Sequence, residues 1–185
     1  MLINEICIFY LQVVLIYLKK YSGVESFGGK KMKVIVEKDL SNIWDKFHEK
    51  FKFNPSVGVD EIPFQFDINY KVYKLKSVWT ERQEKIVNNI LKKVSNSNIY
   101  ALDWQHDCFE FNPQEEIPLY YRYHDNDRNC EVYFPSYYPN GDYYFFLSKD
   151  LSYGLLGHPW RQEIYVFGES LIGGFEKQIG ELDIC

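Results

Sequence analysis

Asp103, His106 and Asp107 fall within five residues, in the run Asp103-Trp104-Gln105-His106-Asp107, and a second histidine stands in Gly157-His158-Pro159-Trp160. Imidazole and carboxylate are the ligand types that zinc and hard divalent ions accept, and the same pair moves protons as general acid and base. The spacing matches no established metal-ligand pattern. The commoner duties of such residues are local, with Asp103 capping a turn while His106 and His158 bond to backbone groups. They become a site only where the strand end carrying Asp103 meets the strand end carrying His158. The chemistry then is that of a metal-dependent or nucleotide-handling enzyme using Asp103, His106 and His158.

Other residues around these two segments suit recognition rather than reaction. A tryptophan just after a Gly-His-Pro bend, as at Trp160, either fills the core or stands out as an anchor, because Trp buries a large area with little entropy to lose. Asp142, following Asn140-Gly141, completes a turn or aims a carboxylate at a basic partner. The sequence has no Gly-rich phosphate loop, no Ser-x-x-Lys and no Gly-x-Ser-x-Gly. No catalytic residue, metal or cofactor is therefore expected. The candidate binding residues are Asp103, Trp104, His106, Asp107, Asp142, His158 and Trp160.

The elements that must position them read as follows. Lys33 to Glu37 alternates as a short strand, and Asp39 or Ser41 caps a helix whose aromatic face carries Ile43, Phe47 and Phe51. Asn54-Pro55 ends that helix, since the residue before proline is driven from the helical region. Phe64, Phe66, Ile68, Tyr70 and Val72 alternate with polar residues and predict a half-buried strand from Pro63. Thr80-Glu81-Arg82-Gln83 is a capping box, followed by the helical stripe Ile86, Val87, Ile90, Leu91, Val94. Ile99 to Trp104 and Cys108 to Phe111 read as strands, and Gln114 to Asn129 as loop.

Asn140-Gly141 between aromatic runs is the strongest short-range hairpin signal in the chain, because both turn positions must tolerate positive φ. It predicts pairing of Glu131–Tyr138 with Asp142–Ser148. Gly154–His158 and Glu163–Phe167 then extend this to a four-strand meander. A last helix after Gly168 buries Leu171, Ile172, Phe175 and Ile179, with Gly173-Gly174 marking close packing or a break. The fold class expected is α+β, an antiparallel meander sheet of about five to seven strands with two to three packed helices.

The chain has 185 residues, 16 Tyr and 14 Phe, and this aromatic share suits half-buried sheet surfaces. The net charge is −5, and since residues 1–31 hold four Lys against two Glu, residues 32–185 carry −7. An acidic body repels phosphate backbones, which argues against nucleic acid, and suits a basic protein partner. Four cysteines without regular spacing fit a reduced, cytoplasmic protein. The apolar run Ile6–Leu18 falls short of the roughly 20 residues that span a bilayer. Gly28-Gly29-Lys30-Lys31-Met32 has the look of a purine-rich ribosome-binding sequence ahead of an initiator, so translation is expected to begin at Met32. Residues 1–31 are then a mis-assigned start or an apolar extension, with a membrane role only if they are real, and 32–185 a single α+β domain.

The second half resembles an uncharacterised bacterial family, domain of unknown function 2716. The matching residues are Tyr100-Ala101-Leu102-Asp103-Trp104-Gln105-His106, then Pro139-Asn140-Gly141-Asp142-Tyr143-Tyr144-Phe145-Phe146-Leu147, Gly157-His158-Pro159-Trp160 and Val166-Phe167-Gly168-Glu169. Phe51-Lys52-Phe53-Asn54-Pro55-Ser56 resembles its start. The resemblance runs from about Ile43 to Phe175 and implies no activity. The chain is also loosely similar to the small acidic proteins with which bacteria protect themselves from their own toxins. Together these readings give a soluble, cytoplasmic, non-catalytic protein-binding domain, with an immunity-type antagonist as the analogy.

Overall fold

The computed structural model describes residues 32–58 and 61–185, and the expectations for residues 1–31 lie outside the described residues. The described residues lie in one contact unit. Nine strands follow in chain order: β1 (Met32–Ile35), β2 (Tyr70–Lys74), β3 (Ile99–Asp103), β4 (Cys108–Phe111), β5 (Arg122–Asp125), β6 (Cys130–Tyr133), β7 (Tyr144–Ser148), β8 (Gly154–His158) and β9 (Glu163–Phe167). The helices are α1 (Glu37–Phe51), α2 (Glu81–Val94), α3 (Glu169–Glu176) and the short α4 (Ile179–Leu182).

Seven strands make one open sheet in the order β1-β4-β3-β7-β8-β9-β2, antiparallel at each pairing. β5 and β6 pair as a separate hairpin. Because successive strand residues point to opposite faces, the sheet builds two cores. One face carries Leu102, Phe145, Leu147, Leu156, Tyr165 and Phe167 against Ile43, Phe47 and Phe51 of α1. The other carries Ala101, Phe109, Phe146, Leu155, Ile164 and Val166 against Val87, Ile90 and Leu91 of α2 and Leu171, Ile172 and Phe175 of α3. The α+β class and the antiparallel sheet are as the patterning predicts.

α2 begins as its capping box requires, with the Thr80 N–H donating to Gln83 Oε1 at 2.9 Å. α1 starts earlier than its polar residues imply, at Glu37, so Asp39 and Ser41 lie inside it. Glu37 and Asp39 occupy the first turn, where negative charge meets the positive end of the helix dipole. Its end comes at Phe51, three residues before Asn54, with Lys52 in the left-handed region at φ 48. Gly174 sits where a Cβ would come within 2.4 Å of Ile90 Cγ2, so α3 and α2 approach at a bare backbone.

Two expected features do not form. Glu131–Tyr138 does not pair with Asp142–Ser148. β6 pairs with β5, in the segment read as loop, while β7 lies between β3 and β8. The chain between them is an arch held by α2, where Glu84 Oε2 accepts the Tyr137 N–H at 2.8 Å and Glu84 Oε1 the Tyr138 N–H at 3.0 Å. Pro135 and Pro139 lack donors for a ladder, which leaves these two N–H groups to a side chain. The meander is accordingly three strands, β7-β8-β9, and its outer neighbours β3 and β2 come from distant sequence. Likewise only Tyr70–Lys74 of the predicted strand from Pro63 joins the sheet, on β9. Phe64 and Phe66 instead close over the α1 core as stacked rings, Phe53 to Phe64 at 5.4 Å and Phe66 to Tyr70 at 4.2 Å.

Candidate functional site

The ends of β3, β7 and β8 converge at one end of the sheet. β3 and β7 are in register at Asp103 and Tyr144, and the pairing runs one step further, with the Trp104 N–H donating to Tyr143 O at 3.2 Å. This brings Asp142, just before β7, beside Asp103, the last residue of β3. Asp103 shapes the turn after it, because Oδ1 accepts the N–H groups of Gln105 (3.1 Å) and His106 (3.2 Å). That turn swings the exposed His106 ring back so that Nδ1 lies 3.1 Å from Asp103 Oδ1 and 3.6 Å from Asp142 Oδ2.

Both carboxylates are buried, Asp103 at 6% and Asp142 at 5% exposure. Asp142 Oδ1 takes the Tyr143 N–H at 2.7 Å. Its Oδ2 is sealed from solvent and has no hydrogen-bond partner among the described residues. Burial pushes the Asp142 carboxyl up to about 6; the Tyr143 N–H opposes this, and the neighbouring Asp103 carboxyl adds to it. Asp103, His106 and Asp142 each offer a ligand atom, and these atoms all lie within 4.8 Å of one another.

His158 is not part of this group. β7 lies between β3 and β8, so the two strand ends are separated by two strand spacings, about 9.6 Å. Alternation also sets them on opposite faces. Asp103 shares its face with Ala101, and His158 with Leu156, residues that belong to different cores. The enzyme arrangement of Asp103, His106 and His158 therefore does not assemble. His158 is 1% exposed, and its Nδ1 accepts the Arg161 N–H at 3.3 Å. Its ring meets Tyr143 at 5.1 Å. Burial, with the Arg161 charge nearby, pushes it down to about 4.

On that face Tyr143 is the hub. It is 2% exposed while Trp160 is 56% exposed, and the two rings meet edge to face at 5.0 Å and 67°. Trp104, half-buried, turns to the same side and packs against Trp44 at 5.6 Å and Phe53 at 5.1 Å. Asp107 goes to neither group. Its Oδ1 accepts from Arg128 Nη1 at 2.6 Å, and Arg128 Nε bonds Asp125 Oδ2 at 2.7 Å, which ties the β3–β4 turn to the β5–β6 hairpin. The seven candidates thus divide into a polar cluster (Asp103, His106, Asp142), an aromatic group on the other face (Trp104, His158, Trp160) and a tether (Asp107).

Sequence reasoning did not single out Glu84, which stands at 7% exposure. Burial drives its carboxyl up to about 7 against the lowering effect of the Tyr137 and Tyr138 N–H bonds. The signal was in the spacing, since Glu84, Val87 and Leu91 follow the i, i+3, i+7 stripe of α2. A charged residue on an apolar stripe calls for a fixed partner. A cleft of about 310 Å³ runs beside it, lined by Asn88, Pro135 and Tyr137 among others. An open groove of about 780 Å³ lies by Lys46, Lys50 and Lys149. Neither is lined by any of the seven candidates.

Comparison with known proteins agrees with the residues quoted for the resemblance. The family described as protein of unknown function (DUF2716) matches residues 35–172, and the chain belongs to that family. It is also similar to the uncharacterized protein YxiI of Bacillus subtilis (strain 168), with 48% identity over 82 residues, 44% of this chain and 46% of that relative. The match thus spans less than half the length of the relative. No solved structure matches.

Proposed function

We propose that this member of the DUF2716 family is a non-catalytic recognition domain that binds a basic protein partner in the cytoplasm, with Trp160 as the anchor. One observation carries the reading. Trp160 is more than half exposed yet stands edge-on against a Tyr143 ring that is itself 2% exposed. An exposed tryptophan with a rigid backing loses little entropy when covered, the property that makes Trp a dominant hot-spot residue.

The partner's chemistry follows from charge. Residues 32–185 carry −7, so a surface bearing Lys and Arg is attracted to the domain as a whole. The location rests on composition and on the free thiols of Cys108, Cys130 and Cys185. No helix among the described residues is long and apolar enough to cross a membrane. An immunity-type antagonist, an acidic domain that covers a basic toxin, is the biological setting in which such a surface makes sense.

The test is quantitative capture from the cells that express the protein, with wild type and Trp160→Ala as paired baits. A stoichiometric basic partner held by the wild type and lost with Trp160→Ala supports the reading. The expected loss is about 2 kcal/mol or more, roughly thirtyfold in Kd. A partner held equally by both baits, or no partner with either, contradicts it.

A further inference from the structure

We propose that Asp103, His106 and Asp142 form a binding site for one divalent first-row metal ion of the zinc or manganese type. The reasoning starts from what the two carboxylates lack. Burying a pair of carboxylates side by side is costly unless they share a proton or a cation sits between them. Among the described residues, the ion pairs of both are with the single imidazole of His106. That imidazole reaches Asp103 Oδ1 at 3.1 Å but stays 3.6 Å from Asp142 Oδ2. Asp142 Oδ2 is closed to solvent and has no hydrogen-bond partner among the described residues. A buried acceptor left in this state is rare in folded proteins and points to a missing bound group.

The donor geometry fits an ion. With bonds of about 2.1 Å to nitrogen and oxygen, donors around a tetrahedral or octahedral metal stand about 3.0–3.4 Å apart. Of the separations from His106 Nδ1, 3.1 Å falls in that range and 3.6 Å lies 0.2 Å beyond it, and all three ligand atoms lie within 4.8 Å of one another. One imidazole with two carboxylates suits zinc, manganese or iron, whereas calcium needs six to eight oxygens. Three protein donors leave at least one coordination position for water.

The supports are rigid. Asp103 ends β3 and Asp142 leads into β7, whose ladder holds them in register. The Asp103 side chain itself fixes the turn that presents His106. The ion cross-links the β3–β4 turn to the start of β7 on the face away from Trp160, so this site does not depend on the protein-partner reading.

The test uses the full chain, stripped with a chelator and titrated separately with zinc chloride and manganese chloride by calorimetry. One equivalent of at least one ion is expected. His106→Ala, at an exposed position, is expected to weaken binding by about tenfold or more while the metal-free variant keeps the wild-type far-UV circular dichroism. Asp142→Asn is expected to abolish the one-to-one stoichiometry. If that variant does not fold, His106→Ala decides. His124→Ala, in the β5–β6 hairpin, is expected to bind as wild type does. X-ray absorption of the loaded protein is expected to show nitrogen and oxygen ligands without sulfur. Absence of one-to-one binding by both ions, affinity within twofold of wild type in His106→Ala, loss in His124→Ala, or a sulfur shell overturns the site.

Discussion

Glu84→Gln separates the two forces that act on the buried carboxylate under the 135–140 arch. The glutamate accepts two main-chain N–H groups, at 2.8 and 3.0 Å, which favour its charged form. Burial disfavours that form and wins, because the carboxyl is driven from its ordinary 4.5 to about 7. A folded-state value above the unfolded one means that the folded chain holds the proton more tightly. The stability so gained is complete below pH 4.5 and is lost as pH rises to about 7. At about 1.4 kcal/mol per pH unit, that interval corresponds to up to about 3 kcal/mol. Glutamine copies the acid in shape and does not titrate, but its NH2 cannot accept, so one of the two N–H bonds is lost at every pH. Urea unfolding of both chains at pH 4.5 and pH 8 measures the effect. Glu84→Gln is expected to be the less stable at pH 4.5, by about 1–3 kcal/mol for the lost acceptor, and to gain on wild type by up to about 3 kcal/mol between pH 4.5 and pH 8. Asp142 and His158 titrate in both chains and so drop out of the difference. A constant gap at the two pH values, or a wild type that gains on the variant as pH rises, refutes the dominance of burial.

Two further perturbations probe the same fold. Gly174→Ala is expected to destabilise by about 1–3 kcal/mol in urea unfolding, because its Cβ meets Ile90 Cγ2 at 2.4 Å. Gly173→Ala, with nothing within 4 Å of the added carbon, is expected to stabilise by up to about 1 kcal/mol. Loss of stability in both would show that α3 needs glycine for some reason other than its approach to α2. His158 is held down at about 4 by burial and by Arg161, so its contribution is intact above its ordinary 6.5 and is lost as pH falls toward 4. His158→Gln, which keeps an acceptor for the Arg161 N–H, is expected to lose less stability than wild type over that range. Parallel curves would contradict the assignment.

Local signals in the sequence located local structure. The capping box at Thr80 and the apolar stripe after it mark α2 because cap, helix and stripe lie within fifteen residues. The strands Ile99–Asp103, Cys108–Phe111, Gly154–His158 and Glu163–Phe167 are visible as apolar runs between turn residues. Pairing is another matter. Asn140-Gly141 looked like a hairpin because the local pattern contains no trace of Glu84, which holds the Tyr137 N–H from 53 positions away. The same limit applies to the site. Asp103, His106 and Asp142 were each recognisable as polar residues near turns, but their meeting depends on the β3–β7 register. His158 does not join them, for a reason that alternation makes plain. With β7 inserted between β3 and β8, residues on the Ala101 face and the Leu156 face are separated by the thickness of the sheet.

The most direct test of the recognition surface is site-specific photo-crosslinking in living cells, with a photoreactive phenylalanine analogue placed at position 160. The same analogue at position 133, where Tyr133 is 53% exposed on the β5–β6 hairpin, serves as comparison. The Trp160 position is expected to yield one discrete adduct with a basic protein, and the Tyr133 position none. An adduct from position 133 alone, or none from position 160 in cells where the protein is abundant, contradicts the assignment of Trp160 as the anchor.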